Sequence, residues 1–375
     1  MRGHHAAGLA LLTMTGFSAP ADAQDGRRVP AAPRVLWVLD KPNFNSELPV
    51  RKDLFWAGGA QLSAHRLRTG EEVHHATGDG PWHHPVLSGG LIFARHDDGS
   101  LHAFVADLSR ELWQIPLQNS YFAGTAYGDM YFVTSGNEVL AITAGKVHWR
   151  FDLGSEVAMQ PATDGRRVYA GCVNGAVVGI DLHSGEESWR HDGDVEFGWT
   201  SPVVDDGVLF LADRGRGDRR KAACNAFDAE TGVLLWSTEF GSTGFSRPRP
   251  QGGRVWAGFG VRVASFDRAT GELDLENSIR TGRNPFGLPG VVGDAIVFGN
   301  LDGNLYVHDL STRALRWRFD VREEDGRARR KPQVGGWLLH DGVLLVGSTR
   351  GLYAIGETEA APPAVAGFVL RPAPR

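Results

Sequence analysis

Five aromatic residues fall roughly one repeat apart along the chain, at Trp82, Tyr121, Trp199, Phe245 and Phe286, each just ahead of a short apolar segment. Polar side chains stand near them: His83, His84, Gln160, Arg247 and Asn284. Aromatic walls with a few hydrogen-bonding groups are the makings of a small-molecule site, so these ten residues form one candidate ligand site. Ordinary packing is the competing explanation, because an apolar residue at each position would also seal the end of a sheet.

The paired histidines His74-His75 and His83-His84 raise the question of a metal. Neighbours on a strand point to opposite faces, so each pair offers one ligand to a shared site, and no carboxylate or thiol spacing completes a set. No metal is expected. Two basic runs are set apart from the apolar segments. The first spans residues 214 to 221 and carries Arg214, Arg216, Arg219, Arg220 and Lys221; the second ends in Arg329, Arg330 and Lys331. Emerging on one face, they would suit an acidic protein partner or an anionic ligand; as solvated loops they would do neither. No Gly-rich phosphate loop, metalloprotease helix motif or nucleophile elbow occurs, so no reaction is indicated.

The elements that would position these residues come from an internal repeat. Gly179-Ile180-Asp181 leads through Ser184-Gly185 to Trp189, and Ala226-Phe227-Asp228 leads through Thr231-Gly232 to Trp236. Further copies end at His74, Trp113, Trp149, Leu275 and Trp317, in steps of 36 to 47 residues. Asp and Thr hydrogen-bond a turn's backbone, and Gly accepts the positive φ of a bulged return, so each copy predicts a β-hairpin. Pro85, Pro161, Pro202, Pro248 and Pro289 mark the starts of inner strands, where a missing N–H is tolerated. A period near 40 residues with four short strands describes a propeller blade.

The last copy, Trp337 to Ile355, has three strands and no fourth. Val35-Leu36-Trp37-Val38-Leu39 is an orphan strand with Trp37 at the repeat phase. Pairing the two completes an eighth blade and removes the open sheet edges. The expected fold is all-β: an eight-bladed β-propeller of four-stranded antiparallel blades, its ring closed by an N-terminal strand.

The Ala-x-Asp-x-x-Thr-Gly-x-x-x-Trp pattern, best kept from Ala226 to Trp236, resembles the pyrroloquinoline-quinone-like propeller repeat. The resemblance covers about residues 34 to 356. That family includes the outer-membrane assembly factor BamB, soluble quinoprotein dehydrogenases and sensor domains of some membrane kinases. It implies a protein-binding or envelope scaffold as the leading function, with a small-molecule or enzymatic propeller as the alternative. Vicinal cysteines, which the resemblance would place beside the quinone of a dehydrogenase, have no counterpart here. Cys172 and Cys224 lie far apart in sequence, and neither pyrroloquinoline quinone nor any other cofactor is expected.

The chain has 42% hydrophobic and 22% charged residues, enough apolar material for a packed core. Its formal charge of −5 supplies no general attraction to nucleic acid or to an anionic membrane. Arg2, the apolar stretch from Ala6 to Phe17 and Ala21-Asp22-Ala23 read as a signal peptide cleaved after Ala23. The expectation is therefore an exported, periplasmic or extracellular monomer without membrane insertion. Its parts would be a leader over 1–23, a linker over 24–33, the propeller over 34–356 and a disordered Pro/Ala-rich tail over 357–375. The two cysteines are expected to be buried free thiols.

Overall fold

The computed structural model describes residues 28–41, 48–78, 80–117, 123–157, 159–197, 200–213, 222–240, 246–285, 287–321, 332–357 and the backbone of 370–372. Middle strands such as Leu209–Ala212, Val177–Asp181 and Val343–Ser348 are almost continuously buried instead of alternating, because a neighbouring sheet covers each face. Eight antiparallel sheets result, arranged as the blades of a ring. Blade one runs from Val50–Arg51 to Glu72–His75, blade two from Trp82–Ser88 to Glu111–Pro116, and blade three from Thr125–Tyr127 to Lys146–Asp152. Blade four spans Ala162–Thr163 to Glu187–His191, blade five Val203–Asp205 to Leu234–Glu239, and blade six Arg249–Gln251 to Leu273–Arg280. Blade seven spans Gly290–Val292 to Leu315–Asp320.

Blade eight takes Val334–His340, Val343–Ser348 and Leu352–Gly356 from the end of the chain and Arg34–Leu39 from its beginning. Leu39 faces Leu352 and Arg34 faces Gly356, with a bulge between Val35 and Trp37. The predicted closure is thus the observed one. Within the segment expected to be a tail, Leu370–Pro372 add a fifth strand to blade seven, opposite Trp317 to Phe319.

The core lies between blades. One apolar cluster joins blades four and five through Tyr169, Leu209, Leu211 and Phe227, and another joins blades eight and one through Trp37, Phe55, Leu345 and Ala354. The repeat's turn explains how neighbours lock. Asp228 Oδ1 accepts the N–H groups of Glu230 and Thr231, holding the turn in which Gly232 adopts φ 73°. The Trp189 ring of blade four lies so close to Gly232 that a Cβ there would meet it at 2.4 Å. Its Nε1–H donates to Ala229 O at 3.0 Å. Trp149 repeats this on Gly185 and Leu182 O, and Trp236 on Gly271 and Arg268 O.

Blades one and six lack the outer-strand Trp. His74 is exposed there, and so is Leu275. Each of these blades carries a buried Trp on its second strand instead, Trp56 and Trp256. Trp56 Nε1–H donates to Ala106 O, the carbonyl that an outer-strand Trp of blade one would have used.

Candidate functional site

The loops leading into inner strands meet the turns between second and third strands on one face of the ring. Asp97 N–H donates to Pro81 O, Val173 N–H to Glu156 O and Leu301 N–H to Asn284 O. This is the face on which the sequence placed its candidate ligand site. Trp82, expected just ahead of the inner strand, instead opens that strand, Trp82–Ser88, and is only 3% exposed. A bulge between His83 and Val86 lets that strand begin ahead of Pro85, which carries Trp82 into the blade. Its ring lies edge-on to His96, His102 and Phe104.

His83 Nε2 lies 3.1 Å from Asp97 Oδ1. His84 occupies the bulge with φ 48°, and its pKa is pushed down to about 4, first by burial and then by His83 and Arg95. From blade three, Tyr131 O–H lies beside Arg95 in charge coupling, and burial pushes its pKa up to about 12. Gly124 N–H donates to the Tyr131 hydroxyl, and Gln160 Nε2 donates to Gly124 O at 3.0 Å. Gln160 is thereby tied to blade three through Gly124, while His83 and His84 belong to blade two. Arg247 and Asn284 sit before the inner strands of blades six and seven, on the opposite arc. Arg247 donates to Pro202 O. Tyr121, Trp199, Phe245 and Phe286 lie outside the described residues, as do Arg214, Arg216, Arg219, Arg220, Lys221, Arg329, Arg330 and Lys331.

The structure also assembles a chain of groups that the sequence reading missed. Ser100 Oγ is 2.6 Å from His102 Nε2, and His102 Nδ1 is 2.9 Å from Glu111 Oε1. Hydroxyl, imidazole and carboxylate in this order have the form of an activated nucleophile. Two facts argue against acyl transfer. Asp98 Oδ1 accepts from both the Ser100 N–H and its hydroxyl, which drives the Asp98 pKa down to about 2. The turn's Gly99 and Ser100 N–H groups are already committed, to His96 O and to Asp98, so neither is free to hold an oxyanion. His102, held between Ser100 and Glu111, packs edge-on against the Trp82 ring. The signal for this trio was the spacing of Ser100 and His102, two apart on one strand face.

Nearer the axis, side chains tie the inner strands together. Gln251 of blade six both donates to and accepts from the backbone of Val291 in blade seven. Arg249 crosses Gly290 and lies over the Trp337 ring at 4.7 Å. Leu48, Trp337 and Leu345 are buried together between blades eight and one and leave no room for a water molecule between them. On the outer rim Val233, Leu234 and Leu235 are 58, 40 and 50% exposed on blade five, and Leu275 is 50% exposed on blade six.

The sequence matches the family described as outer membrane protein assembly factor BamB over residues 107–217 and 173–359. The chain belongs to this BamB-like family of quinone-type propellers. Among curated relatives, BamB of Burkholderia pseudomallei is 26% identical over 330 residues, which is 79% of this chain and 84% of that protein. The serine/threonine-protein kinase AfsK of Streptomyces griseus is 27% identical over 192 residues, 48% of this chain and 22% of the kinase. The crystal structure of BamB from Moraxella catarrhalis covers 87% of this chain and all of its own, with a TM-score of 0.67 at 18% identity. That last likeness is one of fold. Cys172 and Cys224 are free, buried and in different blades of this BamB-like ring.

Proposed function

We propose that this BamB-like propeller is exported and acts as a scaffold that holds another envelope protein, without a redox cofactor. The observation that carries this reading is the run of exposed apolar side chains Val233, Leu234 and Leu235 where the outer strand of blade five begins, in a ring whose inner strands are bridged by Gln251 and Arg249. Adjacent exposed apolar residues on a folded surface mark contact sites for proteins. Family membership and the leader-like first residues agree with it. The basic run at Arg219 and Arg220 would add charge complementarity toward an acidic partner.

The test is site-specific photo-crosslinking from Leu235 in the native host. A discrete crosslinked envelope protein, lost in the Leu234→Glu variant and weakened by charge reversal at Arg219 and Arg220, is the expected result. A Leu235 probe that yields no adduct in cells making folded protein would remove this surface from the proposal.

A further inference from the structure

The junction between blades eight and one holds two distant parts of the chain together, and it contains a largely buried chain of polar groups. Lys41, two residues beyond the closing strand, donates from Nζ to Gln61 O at 3.1 Å and to Ser63 Oγ. Ser63 Oγ is 2.8 Å from His65 Nε2, and His65 Nδ1 is 3.0 Å from Gly70 O. Ser63 is fully buried and His65 is 2% exposed.

The two ends of this chain dictate its direction. An ammonium only donates and a carbonyl only accepts. His65 must therefore carry its proton on Nδ1, toward Gly70 O. Ser63 then donates to Nε2 while accepting from Lys41. Only neutral His65 satisfies every member.

His65 also touches the closing strand through a stack. Its ring lies 5.2 Å from Phe55 at 18°, and Phe55 lies 5.1 Å from Trp37 at 5°. The turn it bonds is the one that receives Trp37: Gly70 abuts the indole face and Leu67 O takes its N–H.

We propose that the ring closure is an acid-sensitive latch, in which protonation of His65 breaks the Lys41–Ser63–His65 chain and loosens the N-terminal strand from blade one. A second proton on Nε2 would point at Ser63 Oγ, which already receives the half-buried Lys41 ammonium, and would bring two positive charges to either side of one hydroxyl. The charged groups around His65 are Lys41, from the N-terminal segment, and Glu72, on the outer strand of blade one. Glu72 opposes the effect, but it is engaged with His75 at 2.9 Å. From blade one's second strand the neighbour is Phe55, which is uncharged.

Burial first, and Lys41 to a smaller degree, hold the His65 pKa below its usual value against the Gly70 bond and Glu72. The folded state thus binds this proton less readily than the unfolded chain. Its contribution is full above about pH 6.5 and is lost as the pH falls through the lower folded value.

His308 in blade seven supplies an internal control. It makes the same Nδ1 bond, to Arg313 O at 2.8 Å, and stacks on Phe298, yet its neighbourhood contains no counterpart of Lys41. The experiment is hydrogen exchange by mass spectrometry on the full chain at pH 7.5 and 5.0, corrected for intrinsic rates. The expected result is severalfold faster exchange at pH 5.0 in the peptide spanning 34–41, with blade four unchanged. His65→Gln should abolish that response, Lys41→Met should reduce it, and His308→Gln should leave it intact. Closure that exchanges equally at both pH values, or an acid response retained in full by His65→Gln, would overturn the proposal. Should the variants not fold, the imidazole nitrogen shifts of the wild type decide: His65 found protonated at neutral pH, or carrying its proton on Nε2, refutes the latch.

Discussion

Blades four and five meet as neighbours in sequence, whereas blades seven, eight and one meet at a seam made from the two ends of the chain. At the ordinary junction a single hairpin supplies everything: Asp228 holds the turn, Gly232 admits the Trp189 ring and Ala229 O takes its N–H. At the seam the same parts come from separate places. Trp317 of blade seven donates to Pro30 O, so the N-terminal segment stands in for the missing turn of blade eight. Glu357 Oε1 accepts the N–H groups of Ala31 and Ala32, the role that Asp plays within a hairpin. Trp37 then docks on Gly70 and Leu67 O as an ordinary repeat Trp does. The contrast teaches that the docking geometry is set by the blade interface, and that chain continuity is one means of satisfying it. What continuity adds is entropic: a hairpin is closed by a few residues, while the seam must order two ends of a long chain.

The largest test removes the seam. A chain beginning after Leu39 leaves blade eight with an open edge and Leu352–Gly356 unpaired, and it should lose the full chain's melting temperature and its single transition. Next are the keystones themselves. Trp236→Ala and Trp37→Ala should each cost about 3–5 kcal/mol in urea unfolding. Only Trp37→Ala should also release the closing strand in hydrogen exchange below the global transition, and equal local opening in both variants would dissolve the distinction.

Smaller effects sharpen it. Asp228→Ala should cost about 1–2 kcal/mol through its lost turn bonds, and Glu357→Ala about 1 kcal/mol or less, since that carboxylate is exposed. Thermal melts of both variants check the order. On acidification, His84 behaves as His65 does in sign. Its folded pKa of about 4 lies below the free value, so its contribution holds above about pH 6.5 and is lost as the pH falls toward 4. A wild-type melting temperature that stayed flat over that interval would contradict the burial of both histidines.

The smallest effect is at Asn300. Its turn in blade seven matches the Cys172 turn of blade four bond for bond: Asn300 N–H donates to Asn304 O as Cys172 N–H does to Ala176 O. Both residues are fully buried, but the Asn300 amide has no hydrogen-bond partner among the described residues. Asn300→Cys should be neutral or stabilising by up to about 1 kcal/mol, measured in urea.

The architecture was legible because its signals are local. Short apolar runs, the Asp and Gly of each turn and the phase of the Trp positions act within a few residues. Even the long-range closure could be inferred, because a three-stranded last copy and an orphan strand bearing Trp37 complete each other. The candidate site was legible only in part. Trp82 lies inside blade two, since a bulge at His83 to Val86 is invisible in a pattern of period two. Trp56 and Trp256 fall outside the repeat's Trp phase, and it is the absence of Trp at His74 and Leu275 that gives them a role.

From its residues alone the chain determined how many blades form and which ends must meet. Those outcomes follow from backbone preference and from apolar faces that have to be covered. The tertiary structure alone decided which polar groups become neighbours: Ser100, His102 and Glu111 across two strands, and Lys41, Ser63 and His65 across the seam. Such contacts depend on strand register and on the docking of one sheet against another, and a shift of one residue in either would turn the same side chains to opposite faces.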